Sequence, residues 1–286
     1  MRIAVVGAGG QLGTALAYEF ANRYEIVSFT RAQLDISDDD AVAAAMAQVK
    51  PGVILNAAAL TAVDAAEDRP IEALNSNAFG VRALARAASA HDATLVHYST
   101  DFVFDGKAVV PYLETDRPNP QSVYAASKLL GEWFAVDAPR AYVLRVEAIF
   151  GTTPGGGPAK GSAAGILNSL RADGTAKVFV DRTITPSYVT DVARATRQLL
   201  ELRAPAGLYH CVNSGATTWL EFAEQMARLL GIDARLTPVH LADMNLRAAR
   251  PVYCALSNAK LCALGIEMPS WQDALARYIT GLRSGG

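Results

Sequence analysis

A short apolar run, Ile3-Ala4-Val5-Val6, leads straight into Gly7-Ala8-Gly9-Gly10-Gln11-Leu12-Gly13, and the residues from there to position 21 carry a helical pattern. Strand, glycine turn and helix in immediate succession restrict the start of the chain to a βα unit. The alternation then continues. Residues 26–29 read as a strand, 38–49 as an alanine-rich helix with aspartates in its first turn, where the helix dipole favours them, and 53–56 as a third strand. A helix over 71–90, a strand at 94–98, a helix after Val123 and a strand at 141–146 extend the series. Strands that are apolar at nearly every position are covered on both faces. The expectation is therefore an α/β fold with a Rossmann-type, doubly wound parallel sheet.

The pattern breaks at 152–165, where proline, three successive glycines and small side chains give backbone freedom and little packing surface; the segment reads either as a connector or as a lid. Beyond it, 178–180 reads as a short strand, 189–201 as a helix, 207–212 as a strand returning to the large sheet, and 219–230 and 270–282 as helices. A chain of 286 residues, 51% hydrophobic and 19% charged, can fill such a core, and a formal net charge of -2 gives no electrostatic basis for binding nucleic acid. Cys211, Cys254 and Cys262 form no CxxC pair, and His91, His97, His210 and His240 share no metal-ligand spacing. No metal site or disulfide framework is expected, and the thiols read as small buried hydrophobes of a reducing, cytoplasmic compartment. No apolar stretch reaches the roughly 20 residues of a membrane helix, and the first residues lack the features of a signal peptide.

The glycines have a chemical reading as well as a structural one. Gly7, Gly10 and Gly13 have a GxxGxxG spacing: the first two let the backbone turn and approach a pyrophosphate held by free N–H groups at the helix N-terminus, and the third lets helix and strand pack closely. About 20 residues on, where a carboxylate would hold the ribose hydroxyls of NAD, the second strand instead ends in Ser28-Phe29-Thr30-Arg31. Arg31 can pair with a 2′-phosphate through its planar fork, which favours NADPH, with NADH as the alternative; its plainer reading is a solvated surface arginine. The small side chains of Asn56-Ala57-Ala58-Ala59, at the end of the third strand, leave room for a cofactor across the sheet edge. In Tyr124-Ala125-Ala126-Ser127-Lys128, Tyr124 and Lys128 lie one helical turn apart and face the same way. A phenol ordinarily titrates near about 10, and Lys128 is expected to stabilise its anion and to hold the nicotinamide ribose, leaving Tyr124 to protonate a carbonyl oxygen as hydride arrives at carbon. Thr100 closes the fourth strand on the same edge and can steady the developing alkoxide.

These residues, with Thr61-Ala62-Val63-Asp64, the run from His97 through Thr100-Asp101-Phe102 to Phe104, Tyr112-Leu113-Glu114-Thr115-Asp116, Gly207-Leu208-Tyr209-His210, Thr218-Trp219, Arg250-Pro251 and Trp271, make the chain resemble an extended short-chain dehydrogenase/reductase. More closely, it resembles the dTDP-4-dehydrorhamnose reductase family, almost end to end. The resemblance implies that Thr100, Tyr124 and Lys128 are catalytic in reducing a 4-keto-6-deoxy nucleotide sugar. It implies cofactor contacts from Gly7, Gly10, Gln11, Leu12, Gly13, Arg31, Asp35, Ile36, Ala57, Ala58, Ala59, Tyr124 and Lys128. It also implies a sugar pocket drawing on Thr100, Asp101, Phe102, Glu147, Ala148, Arg182 and Arg250. Residues 1–150 with about 186–212 would form the NADP(H)-binding domain, and 151–185 with 213–286 a smaller C-terminal substrate-binding lobe.

Two positions depart from the family pattern. Where the family reads Arg-Thr-Ser-Trp-Val-Tyr-Gly, this chain has Arg145-Val146-Glu147-Ala148-Ile149-Phe150-Gly151, so the tryptophan expected to border the sugar is Ala148. Glu147 offers an acceptor for sugar hydroxyls or a partner for Arg182, or is a solvated or structurally paired carboxylate. Cys254 stands where the family's Arg-Pro-x-x-Ser pattern has serine. Asp101 beside Thr100 keeps open a nucleotide-sugar epimerase or dehydratase, and the altered pocket keeps open a cofactor-binding regulatory subunit similar to the methionine adenosyltransferase β subunit. The sequence leaves the keto sugar and the oligomeric state undetermined, a homodimer being one option.

Overall fold

In the first strand, β1 (Arg2–Val6), Ile3 and Val5 enter one apolar cluster while Ala4 and Val6 enter another. This two-residue alternation places the strand between two layers of helices. One layer includes α1 (Gln11–Ala21), whose Leu12, Leu16 and Phe20 meet Ile3 and Val5. The other includes α2 (Asp39–Val49), whose Val42, Met46 and Val49 join Ala4 and Val6. Asp38 caps α2 by accepting from the Ala41 N–H at 2.9 Å.

The computed structural model describes residues 1–153 and 159–284. Between α1 and α2 lies β2 (Glu25–Phe29), and after α2 comes β3 (Val53–Asn56). Helices α3 (Val63–Asp68) and α4 (Pro70–Leu74), a π turn at Asn75–Phe79, α5 (Gly80–Ala90), β4 (Thr94–Thr100), a 3-10 turn at Asp101–Val103, α6 (Val123–Ala135) and β5 (Arg140–Val146) follow. Then come β6 (Ile149–Phe150), α7 (Ser162–Asp173), β7 (Thr175–Phe179), β8 (Thr183–Ile184), β9 (Ser187–Tyr188), α8 (Val189–Glu201) and β10 (Gly207–His210). The last elements are β11 (Thr217–Thr218), α9 (Trp219–Leu230), β12 (Arg235–Val239), α10 (Ala259–Cys262) and α11 (Trp271–Ser284).

Six strands pair in the order β10-β5-β4-β3-β1-β2, every pair parallel. The expected doubly wound sheet is therefore present, with β10 returning to it beside β5. Because β2 lies on one side of β1 and β3 on the other, the winding reverses between β1 and β3, and a crevice opens at their carboxyl ends. Three two-stranded sheets, β7 with β12, β8 with β11 and β6 with β9, lie apart from it, and α7, α9 and α11 share the α1-side apolar cluster.

The structure corrects three local expectations. The helix read over 71–90 is interrupted by the π turn, in which Asn77 turns its side chain onto the Leu60 backbone and its carbonyl against Gly131 of α6. A Cβ at Gly131 would stand 2.2 Å from that carbonyl, so the close approach requires glycine. The loop expected at 152–165 ends sooner, because Ser162 begins α7 and buries Ala163 and Ala164; residues 154–158 lie outside the described set. Cys211 and Cys254 are buried as expected, but Cys262, at the end of a four-residue helix, is exposed.

Candidate active site

Gly7 sits at φ +81, and a Cβ there would stand 2.5 Å from the Ala58 nitrogen, so the turn after β1 packs directly on the strand end of β3. A Cβ at Gly13 would fall 2.2 Å from the Gly7 carbonyl oxygen, which gives the third glycine the packing role expected of it. Helix α1 begins at Gly10 without a side-chain cap and has no acidic residue in its first turn. Its first amides thus face the crevice with the positive end of the dipole. A cavity of about 350 Å³ opens there, lined by Gly7, Gly10, Arg31, Asp35, Ile36, Ala57, Ala58 and Ala59 together with Ser76 and Lys160. Of the remaining cofactor candidates, Leu12 is buried in the core. Gln11 donates from Nε2 to the Gly151 carbonyl at 2.6 Å and accepts from the Lys160 N–H at 3.4 Å. Glycine cradle, uncapped helix and two cations fit a dinucleotide phosphate chain. The Arg31 side chain is exposed and lies 3.5 Å from Glu72 and 3.8 Å from Asp35, two carboxylates a 2′-phosphate would have to outcompete.

On the next strand over, Thr100 ends β4, and its Oγ1 donates to Asp101 Oδ1 at 3.0 Å and accepts from the Phe102 N–H at 3.2 Å. Helix α6, capped by Ser122, carries Tyr124 and Lys128 into the same region, both buried. The Phe102 ring meets Tyr124 edge-on at 5.7 Å. Burial holds the Tyr124 phenol well above its ordinary value; the neighbouring Thr100 hydroxyl opposes this and the Asp101 charge adds to it. A protonated phenol is the form a proton donor needs. Lys128 Nζ donates to the Tyr98 carbonyl at 2.6 Å and lies 3.5 Å from His97 Nε2. Burial pulls the ammonium down to about 8, with Glu132 opposing.

A second buried group adjoins Thr100. Asp101, Glu147 and Cys254 present donor atoms within 4.8 Å of one another, and all three residues are buried. The Arg182 guanidinium donates to Cys254 Sγ at 3.2 Å and to the Pro251 carbonyl at 3.1 Å, and lies over the Phe102 ring. Burial pushes Asp101 up to about 6, with Arg182 and Thr100 opposing. Burial, then Asp101, pushes Glu147 well above the usual carboxylate range. Ala148 adopts φ +41, a left-handed conformation uncommon for a residue with a Cβ. Arg250 is drawn elsewhere: both of its terminal nitrogens bond Asp64, at 2.9 and 2.8 Å, tying its loop to α3.

Sequence reasoning missed the polar residues beneath this site. Asn56 Oδ1 accepts from the Ala58 N–H at 3.1 Å, which turns Nδ2 toward His97 Nδ1, also at 3.1 Å. His97 Nδ1 is then the acceptor, and Nε2 carries the proton facing Lys128. Asn77 Nδ2 donates to Ser127 Oγ at 3.0 Å, and Ser127 Oγ donates to the Tyr124 carbonyl at 2.7 Å. The only signal in the sequence was polarity inside otherwise apolar segments, at Asn56 and His97.

Comparison with known proteins places this geometry in context. A dTDP-4-dehydrorhamnose reductase of Streptomyces griseus is 35% identical over 287 residues, covering 97% of this chain and 93% of its own. The crystal structure of a dTDP-4-dehydrorhamnose reductase from Clostridium acetobutylicum superposes with a TM-score of 0.92 at 33% identity, covering 99% of this chain and 100% of its own. That of the Bacillus anthracis reductase, in complex with NADP, superposes with a TM-score of 0.92 at 30% identity over 98% of this chain and 99% of its own. The model of the family described as "RmlD substrate binding domain" matches residues 1–284, and the chain belongs to that family.

Proposed function

We propose that the protein reduces the 4-keto group of a nucleotide-linked 4-keto-6-deoxy sugar with NADPH, as a step in deoxysugar biosynthesis. The observation that carries this reading is the placement of Thr100 and a protonated Tyr124 at the carboxyl edge of β4, beside an anion-binding glycine turn on β1. The reductases of S. griseus and C. acetobutylicum are named for this chemistry, and the B. anthracis enzyme binds NADP.

Gly7, Gly10, the first amides of α1 and Ala57 to Ala59 would hold the dinucleotide, Arg31 its 2′-phosphate and Lys128 its ribose. Bound there, NADPH supplies a hydride. Tyr124 donates its phenolic proton to the substrate oxygen, and Thr100 hydrogen-bonds that oxygen as negative charge builds on it. The polar residues beneath hold the α6 turn in register. Residues 151–185 and 213–286 would form the lobe that receives the nucleotide sugar, with Phe102, Glu147, Ala148 and Arg182 at its inner wall. Arg250 would shape the pocket through Asp64. The same reading puts the protein in the cytoplasm, where its unpaired thiols persist. No described helix is long and apolar enough to cross a membrane.

The test is to mix the purified protein with NADPH and a panel of dTDP-4-keto-6-deoxyhexoses, following absorbance and identifying the product. Stoichiometric NADPH oxidation with formation of the 4-hydroxy sugar supports the reading. Tight NADPH binding without oxidation would sink it, and a dehydrated or epimerised product would assign the Thr100-Asp101 pair to a different reaction.

A further inference from the structure

We propose that Asp101 and Glu147 share one proton and return it, through Thr100, to Tyr124 after the phenol has protonated the substrate; this rests on the reductase reading above. In each carboxyl group one oxygen is bonded and the other is not. Asp101 Oδ1 accepts from Thr100, and Glu147 Oε2 accepts from the Thr185 N–H at 2.7 Å and from Thr185 Oγ1 at 2.5 Å. Among the described residues, Asp101 Oδ2 and Glu147 Oε1 are buried without a hydrogen-bond partner. Both residues are at least 95% buried, and each has an oxygen within 4.8 Å of the other's. Two ionised carboxylates cannot be buried so close together cheaply.

The groups facing the pair decide what neutralises it. Arg182 approaches from beside β8 and offsets one negative charge. Cys254 and Tyr253 approach from a separate segment, and burial keeps both in their neutral forms. Tyr124 lies across Thr100 and is neutral for the same reason. One carboxylate charge remains. A metal ion is disfavoured there because the Arg182 guanidinium already bonds the Cys254 sulfur that would complete the donor set. A proton takes no such room, and the two unpartnered oxygens are where it can be held.

The transfers balance without any change of oxidation state. The Tyr124 O–H bond breaks and its proton forms the O–H bond of the product alcohol. The tyrosinate takes the proton of Thr100 Oγ1. The pair's proton moves to Asp101 Oδ1, so the Thr100–Asp101 hydrogen bond reverses and Asp101 reprotonates Thr100. The pair, now doubly ionised beside Arg182, regains a proton from water before the next turnover. Glu147 therefore acts as a positioning and proton-storing residue, since it touches Asp101's side of the relay and not the reacting carbon.

Infrared difference spectroscopy of the full chain, without substrate, tests the shared proton. At pH 7 the wild type is expected to show a protonated-carboxyl band that is absent from both Glu147→Gln and Asp101→Asn; absence of the band from the wild type, or its survival in either variant, overturns the proposal. The kcat profile tests the relay. Glu147→Gln removes the carboxyl that holds the pair's proton more strongly, so the alkaline limb of kcat should move down by about one pH unit, the loss of kcat being about tenfold greater at pH 8 than at the acid end. An even loss of kcat at every pH would overturn the relay. Should the wild type fail to oxidise NADPH, the reductase reading falls, while the band still decides whether the proton is shared.

Discussion

Lys128 of α6 donates from Nζ to the main-chain carbonyl of Tyr98 on β4 at 2.6 Å, with 2% of the residue exposed. The bond pins α6, the helix that carries Tyr124, to the strand that ends in Thr100, and its cost is an ammonium held in a dry interior.

That cost is measurable. Burial lowers Lys128 from 10.5 to about 8, so below pH 8 the folded state carries a charge it would rather lose, a penalty of roughly 3 kcal/mol. Between pH 8 and 10.5 the unfolded chain alone stays protonated, and stability from this group rises as pH rises. Lys128→Met should therefore stabilise the cofactor-free protein at pH 7 by about 1–2 kcal/mol, after loss of the Tyr98 hydrogen bond. The gain should fade toward pH 10. Urea unfolding at both pH values checks this, and equal or lower stability of the variant at pH 7 would contradict it.

Tyr124→Phe should lower kcat by about 10²–10⁴-fold and leave the NADPH dissociation constant within about threefold, because the phenol is needed for proton transfer and not for holding the dinucleotide. Single-turnover NADPH oxidation and fluorescence titration measure the two separately. A variant with near-normal kcat would remove Tyr124 from the proton-donor role.

Arg31 is shared between Glu72 and Asp35 on an exposed face, where such pairs are worth at most about 1 kcal/mol. Arg31→Ala should weaken NADPH about tenfold or more and NADH by less than about twofold, whereas Glu72→Gln should tighten NADPH a few-fold by releasing the guanidinium. Calorimetric titration of both dinucleotides distinguishes the cases; equal losses for NADPH and NADH would dismiss the phosphate contact.

Arg145 of β5 and Glu132 of α6 form a two-point ion pair at 2.8 and 2.7 Å, both buried, with the guanidinium over the Phe104 ring. Arg145→Met leaves the Glu132 charge without its partner and should cost about 3–5 kcal/mol in urea unfolding, while the double change Arg145→Met with Glu132→Leu should recover most of that. Unfolding midpoints for the three proteins decide it. A single variant no less stable than wild type would show that the pair carries no structural load.

The alternation of apolar strands with helices, the glycine turn and the Tyr124 to Lys128 spacing are local properties, and each was legible in the residues alone. Strand residues that are apolar on both sides must be covered on both sides, and three glycines between strand and helix permit one kind of turn. The break of the 71–90 helix was not legible, because it is forced by Asn77 reaching Leu60 and Gly131, contacts separated from it by 17 residues or more in the chain. Nor was the environment of the proposed catalytic groups. Which groups surround Tyr124, which oxygen Lys128 bonds and how Glu147 comes to lie beside Asp101 depend on long-range packing, and burial sets their protonation more strongly than any neighbour in sequence. The sequence determined the sheet, its glycine turn and which side chains are proposed to react; the tertiary structure alone decided their charge states, because desolvation is a property of everything that surrounds a group and not of the chain on either side of it.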